Sequence, residues 1–271
     1  MLPERLDQGA ATDLRVRDLP RIAAPSVDTF EREHVVPRRP VVLRGFTADW
    51  PASRRWSPDY LRRTCPDASV MTIRAETGRV IMHGEKGSIE EPMRLEAYLD
   101  ALQEDHDRYL TSPLRNLPES LRNDVPPPAY CAGAGWRNGN LWIGAPGTIA
   151  RLHRDLADNL HALVFGRKRV TLVAPRQTKL IYPHGLFDSF PNGCRVDIER
   201  PDFARFPKLR GVEPLVTELE PGDAIYIPRR WWHHVRTLEV SASVNYWWAS
   251  GAQRVVVQAT DLFKRIRGIS R

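Results

Sequence analysis

Residues 152–168 read LHRDLADNLHALVFGRK, and the reading of this stretch decides the fold. His153 and Asp155 stand two apart, so on a strand both side chains leave the same face. Residues 160–166, LHALVFG, form a second strand candidate, closed by Gly166 before KRVTLVAP at 168–175. Taken alone, the His-x-Asp pair leaves two readings open: a metal site, or a polar strand edge that happens to contain histidine. A site of two histidines and one carboxylate needs another histidine and leaves coordination positions free, the arrangement of non-haem iron(II) oxygenases. The remaining histidines are 34, 83, 106, 161, 184, 233 and 234. Of these, His233 stands out: in PGDAIYIPRRWWHHV it follows a tight turn on a late strand, which can pair close to the His153 strand.

Outward from this stretch the chain keeps the same rhythm. NLWIGA (140–145) and IARLHRD (149–155) precede it. PLVTELE (214–220), DAIYIP (223–228), WHHVRTL (232–238) and SASVNYWW (241–248) follow. Short strands separated by Gly and Pro turns predict an all-β sandwich or barrel. Residues 1–25 read as a polar arm with little core of its own. Residues 26–106 mix helices (26–36, 57–65, 93–105) with strands (40–46, 69–76), and Ser57-Pro58 makes a favoured helix start. After about residue 107, RYLTSPL leads into a loop rich in Pro, Gly and Asn, and the strand-rich core runs to about 250. Residues 251–271 carry VVVQATDLFKRI (255–266), a C-terminal helix with an apolar face.

The bulk properties of the 271 residues exclude several classes. No apolar run reaches the roughly 20 residues of a membrane span, and the N-terminus lacks the apolar segment of a signal peptide. Cys65, Cys131 and Cys194 are odd in number and widely spaced, against a disulfide framework or a thiolate zinc site. A cytoplasmic protein is the expectation. The net charge of +7 comes mainly from arginines spread along the chain. It is weak support for a nucleic-acid partner, since no RNA-binding signature accompanies it.

The ordered set LWIGAPGTIARLHRDLADNLHALVFGRKRVTLVAP, LIYPHGLF, ELEPGDAIYIPRRWWHHV and SASVNYWW resembles the JmjC and cupin-like Fe(II)/2-oxoglutarate oxygenases. RRPVVLRGFTADWPASRRWSPDYL is similar to the N-terminal segment of the same family. The resemblance covers residues 27–250 and lies nearest the protein and peptide hydroxylases, including the asparaginyl hydroxylase that acts on hypoxia-inducible factor. It implies a double-stranded β-helix (jelly-roll) core with an N-terminal α/β segment and a C-terminal helix. His153, Asp155 and His233 are then the iron ligands, and His234 faces the other way.

The resemblance further makes Lys168, fifteen residues after His153, the cation for the distal carboxylate of 2-oxoglutarate. Tyr109 matches a tyrosine that bonds the same carboxylate, and Asn159 and Asn245 match asparagines near the metal and cosubstrate. Asp158 drops out because it faces away from Asn159. The family often carries Ser or Thr three residues before the first ligand. Here that position is Ala150, and Thr148, two residues earlier on the same strand face, is its partial substitute. His161 also departs, occupying a position that is apolar in many relatives.

The implied activity uses Fe(II), 2-oxoglutarate and O2 to hydroxylate an unactivated carbon of a protein or peptide side chain, releasing succinate and CO2. Histone demethylation fits less well because no accessory reader module is visible. A small molecule or a tRNA base is the alternative substrate, and a catalytically inactive scaffold the alternative class. The C-terminal helix offers a surface for a homodimer.

Overall fold

The structure is a computed structural model that describes residues 14–75, 88–102, 104, 108–131, 138–185, 188 and 190–249. The expected C-terminal helix, with the dimer contact assigned to it, and His83 and His106 lie outside these residues. The N-terminal part contributes β1 (Arg17–Asp18), β2 (Arg21–Ala23), β3 (Val41–Arg44), β4 (Ser69–Ala75), β5 (Ser88–Arg94) and β6 (Arg108–Pro113). The central strands are β7 (Gly139–Gly144), β8 (Ile149–Arg154), β9 (Asp158–Phe165) and β10 (Lys168–Val173). They continue as β11 (Leu215–Leu219), β12 (Ala224–Ile227), β13 (Trp232–Thr237) and β14 (Ser241–Trp248).

These strands build two sheets, one ordered β1-β11-β10-β13-β8 and the other β2-β3-β12-β9-β14-β7-β6-β4-β5. From β7 to β14 the chain passes back and forth between the sheets, which is the winding of a jelly roll. The fold expected from the strand rhythm is the fold observed. β1 and β2 each add a parallel strand, one to each sheet, so residues 17–23 join the two layers. Leu14 and Leu19 are buried there. β5 carries Pro92 and sits at the end of its sheet, where a missing N–H is tolerated.

Alternation assigns the faces. On β9, Leu160, Ala162 and Val164 point away from the facing sheet into an outer core with Tyr246. Helices α1 (Val27–Phe30), α2 (Pro51–Arg55), α3 (Pro58–Thr64), α4 (Leu95–Ala101) and α5 (Glu119–Asp124) supply that core with Phe30, Leu61, Leu95 and Leu121, among others. Ser57 caps α3 by accepting from the Tyr60 N–H at 3.1 Å, worth about 1 kcal/mol. On the far side of the smaller sheet, Leu152, Val173 and Trp232 pack beneath short helical turns at Pro175–Leu180 and Pro207–Gly211. Between the sheets, Leu163, Val170, Leu172, Ile225 and Val235 form an apolar lining. Among the described residues, no helix is long and apolar enough to cross a membrane.

Candidate active site

β8 and β13 run antiparallel, and His233 lies directly opposite His153. Asp155 follows the end of β8, its carbonyl accepting from the Arg230 N–H at 2.8 Å. The two imidazoles and the carboxylate each offer one ligand atom, and these atoms lie within 4.8 Å of one another. The rings are 4.1 Å apart, and Asp155 Oδ2 is 3.7 Å from His233 Nε2.

The pairing between β8 and β13 shifts register between His233 and Val235. Three steps along β8 there match two along β13, so a bulge turns both His153 and Ala150 inward despite their odd spacing. The bulged segment also serves the ligand: His153 Nδ1 is 2.7 Å from the Arg151 carbonyl. His233 Nδ1 lies 3.3 Å from the Trp231 carbonyl. A carbonyl only accepts, so each Nδ1 carries the proton and each Nε2 keeps its lone pair for a metal. Burial, with His153 adding to it, pushes the His233 pKa down and keeps that ring neutral. Two neutral nitrogens and one carboxylate are the donor set of an iron(II) facial triad.

A chain of side chains holds the carboxylate. Trp247 Nε1 donates to Asp155 Oδ2 at 2.8 Å, and Asn159 Nδ2 reaches the same oxygen at 3.5 Å. Asn245 Nδ2 donates to Asn159 Oδ1 at 3.3 Å, and Trp142 Nε1 donates to Asn245 Oδ1 at 2.7 Å. Asn159 and Asn245 thus join the site, Asn245 as the support behind Asn159. The two tryptophans were not singled out from the sequence. The signal for Trp247 was present: it stands two residues after Asn245 and shares its strand face.

Lys168 is fully buried, and its Nζ donates to Tyr109 Oη at 2.9 Å. Gly166, at φ +75°, makes the turn before it, and a Cβ there would collide with the Val240 carbonyl. Gly144 makes room for Tyr109, whose ring a Cβ would meet at 2.9 Å. Among the described residues no carboxylate pairs with Lys168, and burial pulls its pKa down to about 7. Thr148 Oγ1, Ser241 Oγ, Ser243 Oγ and His161 Nε2 are also buried without a hydrogen-bond partner. A buried cation with no counter-charge, among unpaired polar atoms, fits a bound anion such as the distal carboxylate of 2-oxoglutarate.

Other candidates lie elsewhere. Asp158 is buried on the opposite face of β9 and accepts from Tyr226 Oη, the Arg229 N–H and Arg229 Nη1 at 2.9–3.0 Å, a structural role. His234 points out of the barrel into a cavity lined by Leu152, Val196 and Ile198, with Nε2 3.9 Å from Glu199. Ala150 is buried in the apolar lining, with no hydroxyl to offer.

The cupin-like domain pattern matches residues 27–254, which include every strand from β3 to β14 and every residue of the triad. The chain belongs to the cupin-like, JmjC-type family of Fe(II)/2-oxoglutarate oxygenases. Within this JmjC-type family it is 35% identical over 243 residues to lysine-specific demethylase 8 of Danio rerio, covering 86% of this chain and 59% of that protein. It is 31% identical to lysine-specific demethylase JMJ30 of Arabidopsis thaliana, covering 84% and 54%. It is 27% identical to tRNA wybutosine-synthesizing protein 5 of Gallus gallus, covering 86% and 79%. The chain thus spans little more than half the length of the two demethylase-named relatives.

Proposed function

We propose that this domain is an Fe(II)- and 2-oxoglutarate-dependent hydroxylase acting on a C–H bond of a protein or peptide side chain. The observation that carries the reading is the pairing of two half-sites in one barrel. His153, Asp155 and His233 converge at one, and buried Lys168, bonded to Tyr109 and with no carboxylate partner among the described residues, stands at the other. A 2-oxo diacid has this same division, a chelating end and a distal carboxylate. Bound iron and 2-oxoglutarate would supply the oxidising power from O2, with succinate and CO2 as by-products.

The chain's own residues have separable tasks. The two imidazoles and Asp155 would hold the metal. Trp247 and Asn159 fix the carboxylate's direction. Lys168 and Tyr109 fix the far end of the cosubstrate, and the apolar lining keeps the interior dry. Loss of a methyl group from lysine begins with hydroxylation of that methyl carbon, so the demethylase-named relatives use the same C–H chemistry. A tRNA base is the second reading, favoured by the +7 charge and by the similarity over 79% of the wybutosine-synthesizing protein.

The test is a screen of peptide, methylated-peptide and tRNA substrates, read by succinate release and by product mass. The proposal expects one peptide to gain the mass of one oxygen atom. Loss of a methyl group from a methylated peptide would mark the same C–H hydroxylation on a methyl-lysine side chain; a modified tRNA, or no succinate with any substrate, would overturn the proposal.

A further inference from the structure

His161 is set on β9 between Asn159 and Leu163, facing the interior. It is 6% exposed, and among the described residues its Nε2 has no hydrogen-bond partner. The ring is near enough to both Lys168 and His233 to interact with them electrostatically. A buried polar atom is normally paired, so an orphan at this position is unfavourable unless a ligand completes it. On the neighbouring sheet Ala150 presents only a methyl group to the same interior.

We propose that His161 is a binding residue for 2-oxoglutarate, its Nε2–H donating to the distal carboxylate alongside Lys168 and Tyr109. This rests on the 2-oxoglutarate reading above. A carboxylate offers about four lone-pair sites, so two donors leave room for a third. Desolvation and the neighbouring Lys168 keep the imidazole neutral, so it adds a donor without a second cation. The hydroxyl donor that Ala150 lacks is thereby supplied from the opposite sheet.

The test uses the Mn(II)-loaded protein, without turnover, and titration calorimetry of two ligands. 2-Oxoglutarate has the distal carboxylate, and 2-oxobutyrate chelates in the same way but lacks it. In His161→Leu the Kd for 2-oxoglutarate should rise about ten-fold or more, the effect of one hydrogen bond to a charged group. The Kd values for Mn(II) and for 2-oxobutyrate should not change. His161→Gln keeps an amide donor and a polar side chain should the leucine variant fail to fold, and its Kd should lie between the two. An unchanged Kd for 2-oxoglutarate, equal weakening of both ligands, or weakened Mn(II) binding would each overturn the assignment. So would a Thr148→Val variant that carries the whole loss instead. A wild-type protein that binds Mn(II) but no 2-oxoglutarate would refute the proposed function itself, separately from His161.

Discussion

Replacing Lys168 by Met should make the protein without cosubstrate more stable, and should remove a specific pH dependence. The ammonium is fully buried and its pKa is drawn from 10.5 down to about 7 by desolvation. The unfolded chain therefore binds this proton more readily than the folded one, so stability rises with pH between about 7 and 10. Three and a half units at 1.36 kcal/mol each set the full effect at about 5 kcal/mol, of which about 4 act at pH 7 and about 2 at pH 9. Methionine fills similar space without a charge, and the lost bond to Tyr109 Oη offsets about 1 kcal/mol. Urea unfolding of both proteins should show Lys168→Met ahead by about 3 kcal/mol at pH 7, with the gap closing by about 2 kcal/mol at pH 9. Added 2-oxoglutarate should stabilise the wild type only. A methionine variant that is less stable at pH 7, or that keeps the wild-type slope, would show that Lys168 carries no unmatched charge.

Trp247→Phe removes the 2.8 Å bond to Asp155 while keeping an aromatic ring, and metal affinity should fall about 10- to 100-fold in a chelator competition. Unchanged affinity would mean that Asn159 alone orients the carboxylate. Asp158→Ala strands Arg229 and Tyr226 and should lower stability by about 3–5 kcal/mol in denaturant unfolding. A shift under about 1 kcal/mol would show that the Arg229 turn stands without it.

The central strands were legible because their apolar residues alternate and turns punctuate them. The triad was legible through the family resemblance: same-face spacing and a late histidine on a pairing strand left the His-x-Asp pair open, and the ordered motifs implied His153, Asp155 and His233 as the ligand set. β5 was not: Ser88–Arg94 contains Pro92 and two glutamates, which argue against a strand, and only its terminal place in the sheet makes them tolerable. β6 is assigned no element from the sequence, since Pro113 and the long Pro- and Gly-rich run beyond it mask a short strand. β1 and β2, two and three residues long, carry no period to read. The bulge that turns Ala150 inward is a matter of hydrogen-bond register between distant strands. For the same reason His161 was visible only as an odd residue, and its unpaired Nε2 needed coordinates.

Anaerobic titration with Fe(II) and then 2-oxoglutarate tests the central claim most directly. One equivalent of each should produce a metal-to-ligand charge-transfer band in the visible for the wild type. The band should be absent from Asp155→Ala, which lacks the carboxylate ligand. Iron that binds at one equivalent without the band, or a band that survives in Asp155→Ala, would contradict the site built on His153, Asp155 and His233.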